Sequence, residues 1–423
     1  MAFHRRFIAP IILLIQSFVF NTSGIAQQVD RIDVASILSK AIWGNESELL
    51  ASSELMLRSM DYRLPLIEKI EFRTETERMT FGRQEFMLRT SFNEPKVRNA
   101  LLNKRKSLLT LKSVENQSVI REKLFDQYRY IIQLKSLEQE LKIKKEKQAL
   151  ENTLLQLYET ILSSGNSIEL TDYLRVRKSV ITIEYELKQT SEELGNIKKA
   201  LGIAPETKFS DLEEIITVDD AIRVIQQLNV DFNNHFLIME KEAELKYLDS
   251  DFKYSTARSS RILDFFQARY TVREDLLFEN RFSLSLGLQL PWRGSAKIDK
   301  NDIITKQVNT QSEADLFKMN LENRMNILLQ EFDLKQSQYN DMISLENDPK
   351  IRQLRIRILD SDKVDPVKIL KMKESELEFE KDLMKAQYDL LNIYLDILHN
   401  TGVLYEKPYK NHLSPLMPIL FKN

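Results

Sequence analysis

The chain has 423 residues, 29% of them charged, with a formal net charge of −2, nine glycines, ten prolines and no cysteine. The missing cysteine excludes disulfides, thiolate metal sites, a cysteine nucleophile and a lipid-modified N-terminal cysteine, and the near-neutral balance excludes bulk attraction of nucleic acid. So few chain breakers among so many charges favour long solvated helices over a compact α/β enzyme.

At the N-terminus, Arg5 and Arg6 precede an apolar stretch from Phe7 to Phe20 and the small-residue site Gly24-Ile25-Ala26. This is the pattern of a secretory signal peptide over residues 1–26, cleaved after Ala26. Its apolar core is shorter than the ~20 residues that span a bilayer as a helix, and no later segment is continuously apolar over such a length. Any membrane crossing by the rest of the chain therefore falls to strands.

Displacing the chain by 196 positions aligns Arg73 with Arg269, Phe86 with Phe282, Pro95 with Pro291, Leu174 with Leu370, Glu184 with Glu380 and Leu194 with Leu390. One ungapped offset holding over so long a stretch reads as an internal duplication. The expected organisation is a first repeat over 27–202, a linker over 203–218, a second repeat over 219–402 and an irregular tail over 403–423. Each repeat opens with a helix, over 33–62 and 219–257.

Two pairs of strands follow, at about 67–93 and 262–290. In the first pair Phe72, then Phe86, Leu88 and Phe92, alternate with polar residues. In the second, Phe266 and Tyr270, then Phe282, Leu284, Leu286 and Leu288, do the same. Period two puts these side chains on one face, and all fall on even numbers, so an even displacement preserves the facing. They are the candidate lipid-facing residues, since strands of this length and alternation suit an outer-membrane barrel. Four strands are too few to close one, so several chains must pool theirs.

After the strands, Pro95 and Pro291 stand where a helix starts without losing a hydrogen bond. Two long helices are expected, Lys96 to Ser163 and Trp292 to Asp360, the second open to interruption at Pro349. Each turns back, at Ser164-Gly165-Asn166 and around Ser361-Asp362-Lys363. The return helices carry seams at three and four spacing: Tyr173, Val176, Val180, Ile183, Leu187, Leu194, Ile197 and Leu201, with Thr190 filling the only gap, and in the second copy Ile369, Met372, Phe379, Leu383, Ala386, Leu390, Ile393 and Ile397, with Glu376 the exception. That is coiled-coil packing, ended by Gly202 and Gly402 as left-handed caps.

At this point the sequence resembles the outer-membrane efflux proteins of the TolC type. The resemblance rests on three patterns. One is the helix entry Val34-Ala35-Ser36-Ile37-Leu38 followed by Ala41 and Asn45-Glu46-Ser47-Glu48-Leu49. The second is the leucine-rich strand running into Leu290-Pro291-Trp292-Arg293-Gly294, and the third the turn at Gly165 followed by Ile168, Asp172, Tyr173 and Leu174 and closed by Leu201-Gly202. Glu46 stands where the family usually has proline, and Ser361 replaces the glycine of the second turn.

The resemblance implies a mainly α chain with a small β part, forming a homotrimer. Three chains would give a twelve-stranded barrel in outer-membrane lipid and a helical barrel extending into the periplasm. It implies the exit duct of a tripartite efflux or type I secretion system, passive, with substrate delivered by an inner-membrane transporter through a periplasmic adaptor. By position, Ser164, Gly165, Asn166 and Ser361 are candidate adaptor contacts at the helical tips. Asp360, Asp362 and Asp365 are candidates for an acidic ring at the aperture, or for ordinary helix-start acids that suit the helix dipole.

A periplasmic coiled-coil adaptor and a structural scaffold are the alternatives; an adaptor carries one hairpin, whereas this chain has two. No catalytic, cofactor-binding or metal site is expected. His4, His235, His399 and His412 are scattered along the chain, and there is no phosphate loop or nucleophile elbow.

Overall fold

The computed structural model describes residues 34–76, 84–164, 169–204, 215–228, 230, 232, 235–272, 277–288, 294–359 and 366–420. The leader, Gly165, Asn166, Asp360, Ser361, Asp362 and Asp365 lie outside the described residues. The elements run α1 (Val34–Trp43), α2 (Asn45–Ser59), β1 (Ile67–Thr76), β2 (Gln84–Phe92), α3 (Pro95–Ser163), α4 (Leu170–Ala200), α5 (Val218–Gln226) and α6 (Phe236–Ser259). There follow β3 (Leu263–Thr271), β4 (Phe282–Leu288), α7 (Gly294–Glu346), α8 (Pro349–Leu359) and α9 (Pro366–Thr401).

The chain is thus mainly helical with one small antiparallel sheet, ordered β1-β2-β3-β4. Two helices expected to be continuous are divided, and the third is interrupted where it was open to interruption, at Pro349. The stretch over 33–62 breaks at Gly44, where a Cβ would lie 2.6 Å from the Lys40 carbonyl oxygen. The stretch over 219–257 becomes α5 and α6. The long arm starting near Trp292 breaks at Asn347-Asp348, where proline at 349 cannot donate to the preceding turn. Asp348 Oδ1 accepts from the Lys350 amide at 2.8 Å, satisfying a donor at the new helix start.

At 69 residues, α3 reaches about 100 Å at about 1.5 Å per residue. No single helix matches it. Instead α6 covers its first part and α4 its last, held by Lys104 to Asp251 at 2.6 Å, Ser107 to Ser250 at 2.8 Å, Lys144 to the Thr190 hydroxyl at 2.8 Å and Ser179 to Glu151 at 2.8 Å. Helix α9 packs on α3 and α7, and α7 also packs on α6.

The α4 seam buries Val176, Val180, Ile183, Thr190 and Ile197. In α9 the expectation of a single seam is exceeded. From Met384 on, Tyr388, Leu391, Tyr394, Leu395 and Leu398 are buried as well as Ala386, Leu390 and Ile397, so its second half is enclosed all round.

That half of α9 is the centre of the main core, where α1, α3, α5 and the C-terminal segment meet. Residues 403–420, expected to be irregular, form a packed strap across it. Tyr128 of α3 donates its hydroxyl to the Lys410 carbonyl at 2.8 Å and accepts from the His412 amide at 3.3 Å, while the Tyr394 hydroxyl donates to the His412 carbonyl at 3.1 Å. Leu404 and Leu413 of the strap are fully buried. Each buried hydroxyl left without such a partner costs about 1–3 kcal/mol, so the strap and the two tyrosines support one another.

Gly402 turns the chain from α9 into this strap with φ +79°, and a Cβ there would stand 3.4 Å from the His235 ring. An alanine combines left-handed strain with that contact, so Gly402→Ala should destabilise the protein by about 1–2 kcal/mol. The chemical-denaturation midpoint checks this. An unchanged midpoint would show that the turn relaxes freely.

Candidate functional site

The sheet is the part of the molecule whose two faces differ most. Its register sets Phe72 opposite Leu88, Leu88 opposite Ala268 and Ala268 opposite Leu284, and likewise Thr90 opposite Phe266 and Phe266 opposite Leu286. The even-numbered residues therefore share one face. That face is uncovered in the single chain: Phe72 is 66% exposed, Leu284 61% and Leu288 63%, and Leu88, Phe266, Phe282 and Leu286 are also exposed. Phe86, Phe92 and Tyr270 are half-buried among their neighbours, and Phe72 stacks on Phe86 with centroids 6.2 Å apart. So large an apolar surface, held on rigid strands, is a surface made to meet something.

The even-number rule fails at two places. Ile67 pairs with Phe92 and Leu263 with Leu288, and the register shifts between Ile67 and Lys69 and between Leu263 and Phe265. The extra residues are Glu68 and Asp264, which correspond under the 196-residue displacement. A bulge reverses the facing of everything before it, so odd-numbered Ile67 and Leu263 join the apolar face. Both bulges lie at the end of the sheet nearest the helices, where Arg261 binds Glu68 at 2.6 Å.

The odd-numbered face is polar. Arg73 pairs with Glu71 at 3.0 Å, Lys69 also contacts Glu71, and Arg269 of β3 pairs with Glu85 of β2. Ser283 and Ser285 line β4. Phe265 departs from the pattern: its ring lies where a side chain at Gly287 would be, a Cβ there falling 2.2 Å from a ring carbon. Arg89 covers this ring, its guanidinium carbon 3.6 Å from the centroid. Neither Phe265 nor Gly287 was singled out from the sequence; the signal that could have found them is one aromatic on a polar face and one glycine inside a leucine-serine strand.

The sheet is tied to the column below it through buried Asn93 and its neighbour Glu94. Asn93 Nδ2 donates to the Pro65 carbonyl at 3.0 Å, and Glu94 accepts from the Ile262 amide at 2.9 Å, so both hairpins are anchored at the entry to α3. Arg105 of α3 donates to the Arg58 carbonyl at 2.9 Å and to that of Met60, placing a cation at the C-terminus of α2.

At the far end of the column, Ser164 caps α3, its hydroxyl donating to the Ile161 carbonyl at 2.7 Å. The break before Pro349 leaves a groove of about 710 Å³ between α7, α8 and α9, walled by Leu345, Ile351, Leu354, Met372, Phe379 and Leu383. A smaller cleft of about 330 Å³ lies between α3, α4 and α9. There Lys147 of α3 reaches Glu378 of α9 at 3.0 Å, and nearby Glu151 is buried, with its pKa raised chiefly by that burial.

Sequence spacing separates His235 from His399, but folding brings these two together. His235 precedes α6, His399 ends α9 and His412 sits in the strap, all beside the main core. His399 bonds Tyr405 through Nδ1 at 2.5 Å, and His235 Nδ1 accepts from the Leu237 amide at 3.3 Å. Burial lowers all three pKa values to about 4. Among the described residues no group of three or more potential ligands is placed to hold a metal ion, and no helix is long and apolar enough to cross a membrane.

No family model matches the sequence, and the comparison with curated proteins also gives no match. Solved structures do match. The outer membrane protein VceC from Vibrio cholerae is similar with a TM-score of 0.62 at 13% identity, covering 87% of this chain and 96% of its own. The Campylobacter jejuni CmeC outer membrane channel gives 0.57 at 13% identity, covering 87% and 84%. The open state of the Neisseria gonorrhoeae MtrE outer membrane channel gives 0.57 at 11%, covering 88% and 87%. Over nearly its whole described length, then, the chain has the fold of the TolC-type outer-membrane channel proteins.

Proposed function

We propose that this protein is a subunit of an outer-membrane channel, and that three copies pool their sheets into one twelve-stranded barrel. The observation that carries this reading is the two-faced sheet. Its apolar face is exposed over all four strands, and its other face holds paired charges and serines. In a barrel the first meets hydrocarbon and the second lines water, which is the arrangement lipid demands of strands. The similarity of the fold to proteins described as outer membrane channels supports it.

The helices would then stack side by side into a tube in the periplasm. Exposed apolar residues on α4 (Leu174, Ile181 and Tyr185) and on α7 (Val308, Leu316 and Leu334) support such packing, because a second copy would cover them. The two halves of the chain would be a duplication, with the boundaries expected from the sequence. We further propose that the duct is passive, neither enzyme nor pump. It would take substrate for efflux or type I secretion from an inner-membrane transporter through a periplasmic adaptor. Ser164, Gly165, Asn166 and Ser361 would be the adaptor's contacts, and Asp360, Asp362 and Asp365 the aperture.

Reconstitution tests the reading. The full chain, purified from the outer-membrane fraction, is expected to run as a heat-modifiable trimer and to give discrete conductance steps in a planar bilayer. Recovery as a soluble monomer without conductance would end it.

A further inference from the structure

The charges on the polar face of the sheet are not equally neutralised. Arg73 and Lys69 share Glu71, and Arg269 holds Glu85. Arg89 differs. Its only carboxylate within 4 Å among the described residues is Asp264, at 3.7 Å, beyond hydrogen-bond reach, and the Asp264 side chain is itself 43% exposed. The register places Glu71, Arg89, Gln267 and Ser285 at one level across the four strands. Glu71, the one acid there, is already engaged by two cations. Glu75, the remaining acid of this face on β1, lies four residues further along the strand, about 13 Å away at about 3.3 Å per residue.

The support beneath Arg89 is equally specific. Phe265 lies across the notch at Gly287, and the guanidinium rests on the ring at 3.6 Å from its centroid. A planar guanidinium on an aromatic face is weakly hydrated and attracted to the ring quadrupole, so the ring holds it there alongside the looser Asp264 contact. The aromatic ring thus acts as a spacer. It keeps the positive charge off the strands and away from the neutralised pairs, on the side of the sheet opposite the apolar face.

We infer that Arg89, propped on Phe265 over Gly287, makes the lumen of this channel anion-selective at the level of the sheet. The inference rests on the pore reading above. Repeated around the axis, the loosely paired guanidinium forms a ring of positive charge, and such rings favour anions over cations. Its reach into the lumen is set by the Debye length, about 10 Å at 0.1 M salt and about 3 Å at 1 M. Selectivity should accordingly be strongest in dilute salt and fade in concentrated salt, which a steric filter would not do. The cargo suited to such a lumen is anionic, or an organic molecule with a carboxylate or phosphate.

The test uses the full-length protein in planar bilayers with a KCl gradient at low ionic strength, reading the reversal potential. The wild type sets the reference chloride-to-potassium permeability ratio, to which the acidic aperture proposed above contributes in series. Arg89→Gln should lower the chloride-to-potassium permeability ratio about threefold or more, and Arg73→Gln, which also frees Glu71 for Lys69, should lower it less. Phe265→Leu keeps the charge and removes the prop, and should lower the ratio about twofold. That variant carries the test if Arg89→Gln fails to assemble. Equal ratios in wild type and Arg89→Gln, or in wild type and Phe265→Leu, with conductance intact, overturn the inference and leave the pore. Absence of any conductance in the wild type removes the pore reading and this inference with it.

Discussion

Leu284→Arg is expected to abolish the assembled outer-membrane form, while Ser285→Arg, the next residue, leaves it recoverable. Leu284 lies mid-strand, 61% exposed, in the row Phe72, Leu88, Ala268 and Leu284. On the lipid face of a barrel an arginine near the bilayer midplane costs about 2–4 kcal/mol, and the cost recurs in every subunit. Against a marginal folding free energy of about 5–15 kcal/mol, three such charges are decisive. Ser285 points to the polar face beside Gln267, where an added cation stays hydrated. The measurement is the yield of heat-modifiable trimer in the outer-membrane fraction. Equal yields for the two variants would mean that the apolar face packs on protein and never on lipid.

The second large effect concerns acid. His235 and His412 are buried in the wall of the main core, and His399 is partly buried against Phe125 with ring centroids 4.1 Å apart. Burial is the leading reason that each has a pKa of about 4, opposed at His235 by a hydrogen bond with the His399 backbone and helped by Arg121 near His235, Arg129 near His399 and Lys410 near His412. In the unfolded chain the same rings take up protons near 6.5. Between these values the unfolded state binds more protons than the folded one. Stability is therefore full above pH 6.5 and is lost as the pH falls towards 4, by up to about 1.4 kcal/mol per pH unit for each histidine.

Thermal unfolding of the detergent-solubilised protein, followed by far-UV circular dichroism, should show a midpoint that drops steeply from pH 6.5 to 4.5. A variant combining His235→Gln, His399→Gln and His412→Gln should show a much flatter profile over that window, whatever its starting stability. A wild-type profile that is flat there would mean that these rings are hydrated or already charged when folded.

Much of the architecture was legible because it is local. Alternation at period two marked four strands and, within each, the side chains that share a face. Seams at three and four spacing marked α4 and α9, and glycines 202 and 402 do occupy the left-handed turns expected of them, with φ of +67° and +79°. Each of these signals lies within a dozen residues, so the backbone's own repeat carries it.

What the tertiary structure alone decided involves residues far apart. No periodicity links Tyr128 to Lys410 or His235 to His399, so neither the strap nor the approach of these two histidines had a local signature. The bulges at Glu68 and Asp264 depend on where one strand's partner sits, and they reverse a facing that simple counting keeps constant. Phe265 is an aromatic on a polar face and Gly287 a gap in a strand, and neither was singled out from the sequence. Only pairing β3 with β4 turned the two anomalies into one fitted contact and raised Arg89 above it. Local sequence determined which surfaces the elements present; the packing of distant segments determined which of those surfaces remain uncovered and which charges remain only loosely paired.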